Sequence, residues 1–195
     1  MLWEIEVRPA ASEVDREATR VLSASRDLGI TTVRDVRASR SFLIQTDADG
    51  DRVAETAGRL LVDELVEDHA IRTINGSPDP SSEDGDRLLN VLFKPGVTDN
   101  VARSTLKALE ELGLGAEAVA TCRKYRVNTD ASPSDLARLA ERVLANDAIE
   151  HIVEGPLAMD SIALGDEYTF QLQSVALRDM DDQALLKQSR DGQLY

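Results

Sequence analysis

The chain has 195 residues, 36 of them acidic and 22 basic, for a net charge of −14; most of its surface therefore repels nucleic acid and anionic membranes, and a phosphate-bearing ligand would need a local basic pocket. One cysteine, Cys122, and two histidines, His69 and His151, exclude an internal disulfide framework and a zinc-type metal site. No window is long and apolar enough to cross a membrane, and Glu4, Glu6 and Arg8 interrupt the apolar run a signal peptide needs, so the expected location is the cytoplasm.

Leu2 to Arg8 alternates, with Trp3, Ile5 and Val7 on one face and Glu4, Glu6 and Arg8 on the other, and reads as a half-buried strand stopped by Pro9. Ser12-x-x-Asp15 resembles a capping box, and Val14, Ala18, Val21 and Leu22 follow at helical spacing up to Gly29. Thr32 to Thr46 is β-like but long for one strand, which predicts a bend, bulge or hairpin near Ala38 to Ser41. Asp47-Ala48-Asp49-Gly50 turns into a second amphipathic helix bearing Val53, Ala57, Leu60, Leu61 and Leu65, and Ala70 to Ile74 suits a closing strand. Residues 77–87 combine two prolines with acidic and small residues in the manner of an exposed linker.

The order then repeats: strand Leu88 to Phe93, a turn at Pro95-Gly96, a helix from about Asn100 to Leu112, and a β region Ala116 to Thr129. Ser132 and Pro133 open the next helix, and Ile149 to Val153 closes the unit. By eye, Val7-Arg8-Pro9 aligns with Phe93-Lys94-Pro95, Asp27-Leu28-Gly29-Ile30 with Glu111-Leu112-Gly113-Leu114, and Phe42, Ile44 and Thr46 with Tyr125, Val127 and Thr129. The expected layout is a first unit at 1–76, the linker at 77–87, a second unit at 88–157 and a tail at 158–195. Each unit of about 70 residues has a thin core alone, and a β-α-β(β)-α-β order puts both helices on one face of a mostly antiparallel sheet. The expected class is therefore α+β, with the units paired as an internal pseudo-dimer through the bare face or edge to edge. In the tail, Tyr168, Phe170 and Leu172 suit a strand, and Asp181-Asp182 a short helix with Leu185 and Leu186, a segment shaped to dock elsewhere.

Catalytic constellations are scarce. The two histidines are expected at the carbonyl ends of the second helices, where the helix dipole favours them, and Cys122 is expected as a small packed side chain. Gly113-Leu114-Gly115 follows a helix and precedes a strand, the reverse of a dinucleotide loop. Two features stand out: the turn Lys94-Pro95-Gly96-Val97-Thr98-Asp99, with Thr98 or Asp99 capping the next helix, and Arg123-Lys124-Tyr125, echoed by Arg40-Ser41-Phe42. In the second, a cation falls on an otherwise apolar strand face, either turned outward by a bulge or meeting a carboxylate or phosphate at an interface.

Phe93 to Asp99, Ala108-Leu109, Leu112-Gly113, Arg123-Lys124-Tyr125 and Ala145 to Glu150 resemble the PurS-type small subunit of phosphoribosylformylglycinamidine synthase, and the N-terminal region of the large single-chain form, which is similar to two such subunits fused. The resemblance is stronger in the second unit than in the first. Leu185 to Leu194 resembles the start of the next segment of the large enzyme. Asn100-Val101-Ala102 departs from the family's usual Pro-Gln-Gly, and Arg123 from its usual Gly. The resemblance implies a non-catalytic subunit in purine biosynthesis, in a complex that converts formylglycinamide ribonucleotide, ATP and glutamine to the amidine. It implies synthase and glutaminase subunits as partners; further self-association of the paired units is left open by the sequence. It also implies that ATP and Mg are used by the complex and no cofactor is bound by this chain. The contact residues it suggests are Lys94, Asp99, Arg123, Lys124 and Tyr125, with Leu185, Leu186 and Leu194 on the docking tail. The competing expectation is a small-molecule-binding regulatory module with a ligand between the units near Gly96 or Gly113.

Overall fold

A computed structural model describes residues 1–75, 86–162, 177 and 180–191. Its centre is a six-stranded antiparallel sheet of order β3-β1-β2-β5-β4-β6, formed by β1 (Leu2–Pro9), β2 (Val33–Thr46), β3 (Glu67–Thr73), β4 (Asp86–Phe93), β5 (Ala116–Thr129) and β6 (Glu150–Glu154). The helices are α1 (Arg16–Asp27), α2 (Gly50–Leu61), α3 (Asn100–Glu111), α4 (Pro133–Leu139), continued by a π-helical turn Ala140–Leu144, and α5 (Asp182–Asp191). The strand at 168–172 and the residue Leu194 lie outside the described residues; of the expected linker, Asp86 and Arg87 belong to β4.

The two 14-residue strands β2 and β5 pair with each other from Val33↔Thr129 to Thr46↔Ala116. The expected interruption near Ala38 to Ser41 is absent: the register is regular there and shifts only between Val33 and Asp35 and between Gln45 and Thr46. The extra length is used differently. β1 pairs with β2 only over Arg40 to Gln45, and β4 with β5 only over Cys122 to Asn128, so each long strand serves its own neighbour with one half and the opposite half of the sheet with its whole length. β2 and β5 thus pair edge to edge at the centre of one continuous sheet.

Each half keeps the same contacts at a separation of 83 or 84 residues. Asp15 and Asp99 each cap a helix with one carboxylate oxygen, accepting from Ala18 N and Ala102 N, and with the other accept from a long-strand amide, Ala38 N or Thr121 N, at 2.8 and 2.9 Å. Thr46 and Thr129 donate through their hydroxyls to Gly115 O and Thr32 O, and accept from Ala48 N and Ala131 N. The same spacing makes Val7 the counterpart of Val91, both opposite a central arginine, so the alignment of Pro9 with Pro95 is two residues out. A two-residue slip preserves the inside–outside alternation of a strand, and the apolar pattern cannot detect it.

Apolar packing crosses the halves. Ala18 and Val21 of α1 lie in one cluster with Leu136, Leu139 and Leu144 of α4 and its continuation, over Val36, Leu89, Tyr125 and Val127. Val53 and Ala57 of α2 lie with Ala102 and Leu109 of α3, over Ile5, Val7, Phe42 and Ile44. The opposite sheet face bears a third cluster, where Leu157, Met159 and Ile162 pack on Leu2, Leu43, Ile74, Leu92 and Cys122. The tail begins by covering the face that the sequence left bare. Asn75, in the left-handed region at φ 67, ties it down by donating to Met159 O and Asp160 Oδ1.

His69 and His151 are in edge strands β3 and β6, not at helix ends. Helix α2 stops at Leu61, and Asp63 to Val66 form a turn before β3 starts, so the strand begins earlier than the apolar residues suggest.

Candidate functional site

The sequence-selected residues fall into three places. The first is the turn after β4. Lys94 N donates to Ile149 O at 2.9 Å, Val97 N to Lys94 O at 3.1 Å, and the Lys94 ammonium to Asp147 O. Gly96 stands at φ 85, a backbone conformation that costs a side-chain-bearing residue energy, and this closes the turn. Asp99 is occupied: besides its two backbone amides it accepts the Thr121 hydroxyl at 2.7 Å, joining α3 to β5. Beside the turn lies a cavity of about 480 Å³, bounded by α3, by β5 over Val119 to Thr121, by His151 and by the tail at 157–162.

The second place is the centre of the helix-covered face. Arg40 and Arg123 sit directly opposite across β2 and β5, where like charges repel unless each is paired. Arg40 donates to both oxygens of Glu67 at 2.5 and 2.9 Å, and Arg123 donates to Glu150 at 2.6 Å. No bulge turns either arginine away, and the carboxylate each one meets belongs to this chain. Glu67 in turn accepts from Asp63 N, and Glu150 from Asn146 N, which fastens the turn before each edge strand. Tyr125 belongs to the second half alone: its hydroxyl donates to Glu17 Oε1 at 2.7 Å and accepts from Arg123 at 3.3 Å. Burial first, then the Glu17 hydrogen bond, push the Tyr125 hydroxyl up to about 12. The hydrogen bond from Arg20 outweighs burial and holds Glu17 below the usual carboxylate range, with help from Tyr125.

The third place is the opposite face. Lys124 is fully buried and meets Glu4 Oε1 at 3.0 Å and Glu6 Oε2 at 3.3 Å, reaching across β2 to β1. Arg126 donates to both Glu6 oxygens at 2.6 and 2.9 Å, Ser39 adds a hydroxyl to Glu6 at 2.7 Å, and Arg72 of β3 pairs with Glu4. Burial raises the Glu6 carboxyl, but the Arg126 hydrogen bond and the charges of Lys124 and Arg126 prevail and lower it to about 2. Sequence reasoning missed Glu4, Glu6, Arg72 and Arg126, because alternation in β1 reads the same whether its polar face meets water or buried cations.

Cys122 lies in this face too, with its thiol pushed up to about 12, first by burial and next by the Glu4 charge, so it is not a ready nucleophile. Among the described residues no three His, Cys, Asp or Glu side chains form a metal-holding group, and no helix is long and apolar enough to cross a membrane. On α5, capped by Asp181 through Ala184 N, Leu185 and Leu186 are exposed.

Taken together, the fold and these sites define an α+β protein of two like-built halves on one antiparallel sheet, in which Arg40 and Arg123 pair within their own halves and Lys124 and Arg126 pair across to β1. The family model described as PurS: Phosphoribosylformylglycinamidine (FGAM) synthase matches residues 2–75, so the first part of the chain is similar to that family. The match falls on the first unit, whereas the residues that carry the sequence resemblance lie mainly in the second. No curated protein matches the chain.

Proposed function

We propose that this chain is a non-catalytic component of FGAM synthase that joins the ATP-dependent synthase subunit to the glutaminase subunit and supports ammonia transfer between them. The family match over residues 2–75 carries the reading. The geometry is compatible with it, since Asp99, Arg123 and Tyr125 are engaged in internal contacts that fix shape. On this reading the chain binds no cofactor, ATP and Mg act on the partner, and the complex works in the cytoplasm. Lys94 at the β4 turn and Leu185 and Leu186 on α5 are exposed and supply the contacts, while Lys124 serves from inside. On this reading further self-association of the chain remains part of the assembly proposed.

The test is amidation by the synthase and glutaminase from the same source, with and without this chain. With glutamine as nitrogen donor, activity is expected to require the chain; with ammonia it is expected to require it much less. Truncation after Pro156 should abolish the glutamine-dependent gain if the tail docks. Equal activities with and without the chain, together with no complex on size exclusion, would overturn the reading.

A further inference from the structure

The cavity beside the β4 turn differs in character from the rest of the molecule. Its walls are largely apolar, including Leu43, Leu92, Leu106, Val119, Leu157 and Met159. Its polar lining is mainly basic, with Lys94, Arg103 and His151 beside one carboxylate, Asp99, among the lining residues. That carboxylate already accepts from Ala102 N, Thr121 N and the Thr121 hydroxyl, so the excess is positive. On a chain of net charge −14 this is the local basic pocket that an anionic ligand requires.

Two further features give the site capacity. Lys94 donates to Asp147 O, and an ammonium has three N–H groups, leaving donors for a ligand. His151 Nδ1 is buried and without a hydrogen-bond partner, a cost that a ligand atom would remove. A volume of about 480 Å³ lies within the range of small-molecule sites, which combine an apolar lining with a few polar groups.

We propose that this cavity binds a small amphipathic organic anion, its apolar body against Leu92, Val119 and Leu157 and its carboxylate or phosphate met by Lys94, Arg103 and His151. The site stands independently of the coupling role, and it lets the occupant brace the tail segment 157–162 against the β4 turn.

The full chain is titrated with the fluorescent anion anilinonaphthalene sulfonate, with circular dichroism confirming that each variant is folded. Saturable one-to-one binding is expected, displaced by octanoate or octyl phosphate, and whichever displaces better identifies the head group. Lys94→Met and Arg103→Met should each weaken binding by roughly threefold, the scale of an exposed charge contact. Ala158 is exposed on the cavity wall, so Ala158→Trp should fill the space and abolish binding, while the Leu185→Ser/Leu186→Ser double variant should leave it unchanged. Unsaturable binding, binding that survives Ala158→Trp, or loss in the double variant would overturn the site. Displacement by octanol as good as by octanoate would overturn its preference for an anion.

Discussion

Arg40 and Arg123 face each other across the middle of the sheet, and each is held by a glutamate from the start of its own edge strand, Glu67 or Glu150. One residue further on, Ser41 and Lys124 occupy matched positions on the opposite face and have nothing in common: one is a buried hydroxyl, the other a buried ammonium between Glu4 and Glu6. The same contrast holds around them. Glu4 and Glu6 of β1 answer to Leu88 and Asn90 of β4, and Arg126 of β5 answers to Leu43 of β2. The helix-covered face thus keeps what each half needs to fold, its caps, turns and arginine clamps. The other face has been made different in the two halves, ionic beside β1 and apolar where the tail lies across Leu43, Leu92 and Cys122. Sameness marks local folding requirements here, and difference marks where each half meets a different neighbour.

The largest effect should come from the unmatched charge. Lys124→Met removes one member of a buried cluster and leaves Glu4 and Glu6 short of a cation, and it is expected to cost about 3 kcal/mol of stability, measured by urea unfolding at neutral pH. Acid should sharpen the result. Glu6 is lowered to about 2 in the folded protein, so its contribution is complete above the ordinary carboxylate range and is lost as pH falls toward 2. With Lys124 gone, the folded-state value of Glu6 rises and the loss begins at higher pH. An unfolding midpoint in acid that does not move would mean that Arg126 alone sets Glu6.

The contrast between the faces also explains what could be read in advance. Alternation and helical spacing gave the element order, the antiparallel α+β class, the cap at Ser132 and the choice of Thr98 or Asp99 for the third helix, because these depend on neighbours a few residues away. The ionic cluster depends on partners 118 to 120 residues apart in sequence, Lys124 or Arg126 with Glu6, and nothing local in β1 distinguishes a wetted glutamate from a buried one. The basic cavity was half legible: Lys94 and Gly96 belong to a recognisable turn, but Arg103 and His151 join it only through the packing of α3 and β6 around β4. The continuity of β2 was hidden for a related reason, since a 14-residue strand is unusual unless a second one of the same length lies alongside it.

A middle-sized effect tests the sameness itself. Asp15→Ala and Asp99→Ala each remove a cap and the bond from that carboxylate to a long-strand amide, and each should cost about 1 to 2 kcal/mol. Asp99 also accepts the Thr121 hydroxyl, whereas Ala38, at the matched place, has none. Thermal unfolding should therefore place Asp99→Ala slightly below Asp15→Ala. A gap larger than one hydrogen bond can supply would mean that the halves are not held alike.

The smallest change makes the two halves more alike. Phe42 and Tyr125 are matched residues in the two long strands, and Tyr125→Phe deletes only the hydroxyl that joins Glu17 to Arg123. Glu17 keeps Arg20 and Arg123 keeps Glu150, so neither charge is stranded and the cost should be about 1 kcal/mol. The pH dependence separates this bond from simple packing. Tyr125 is pushed up to about 12 when folded, so the unfolded chain loses the proton first, and stability falls as pH rises from about 10 toward 12. In Tyr125→Phe that decline should be shallower, and the absorbance step above the usual phenol range should vanish. An unchanged alkaline decline would place the titrating group elsewhere and reduce the tyrosine to a phenylalanine with an idle oxygen.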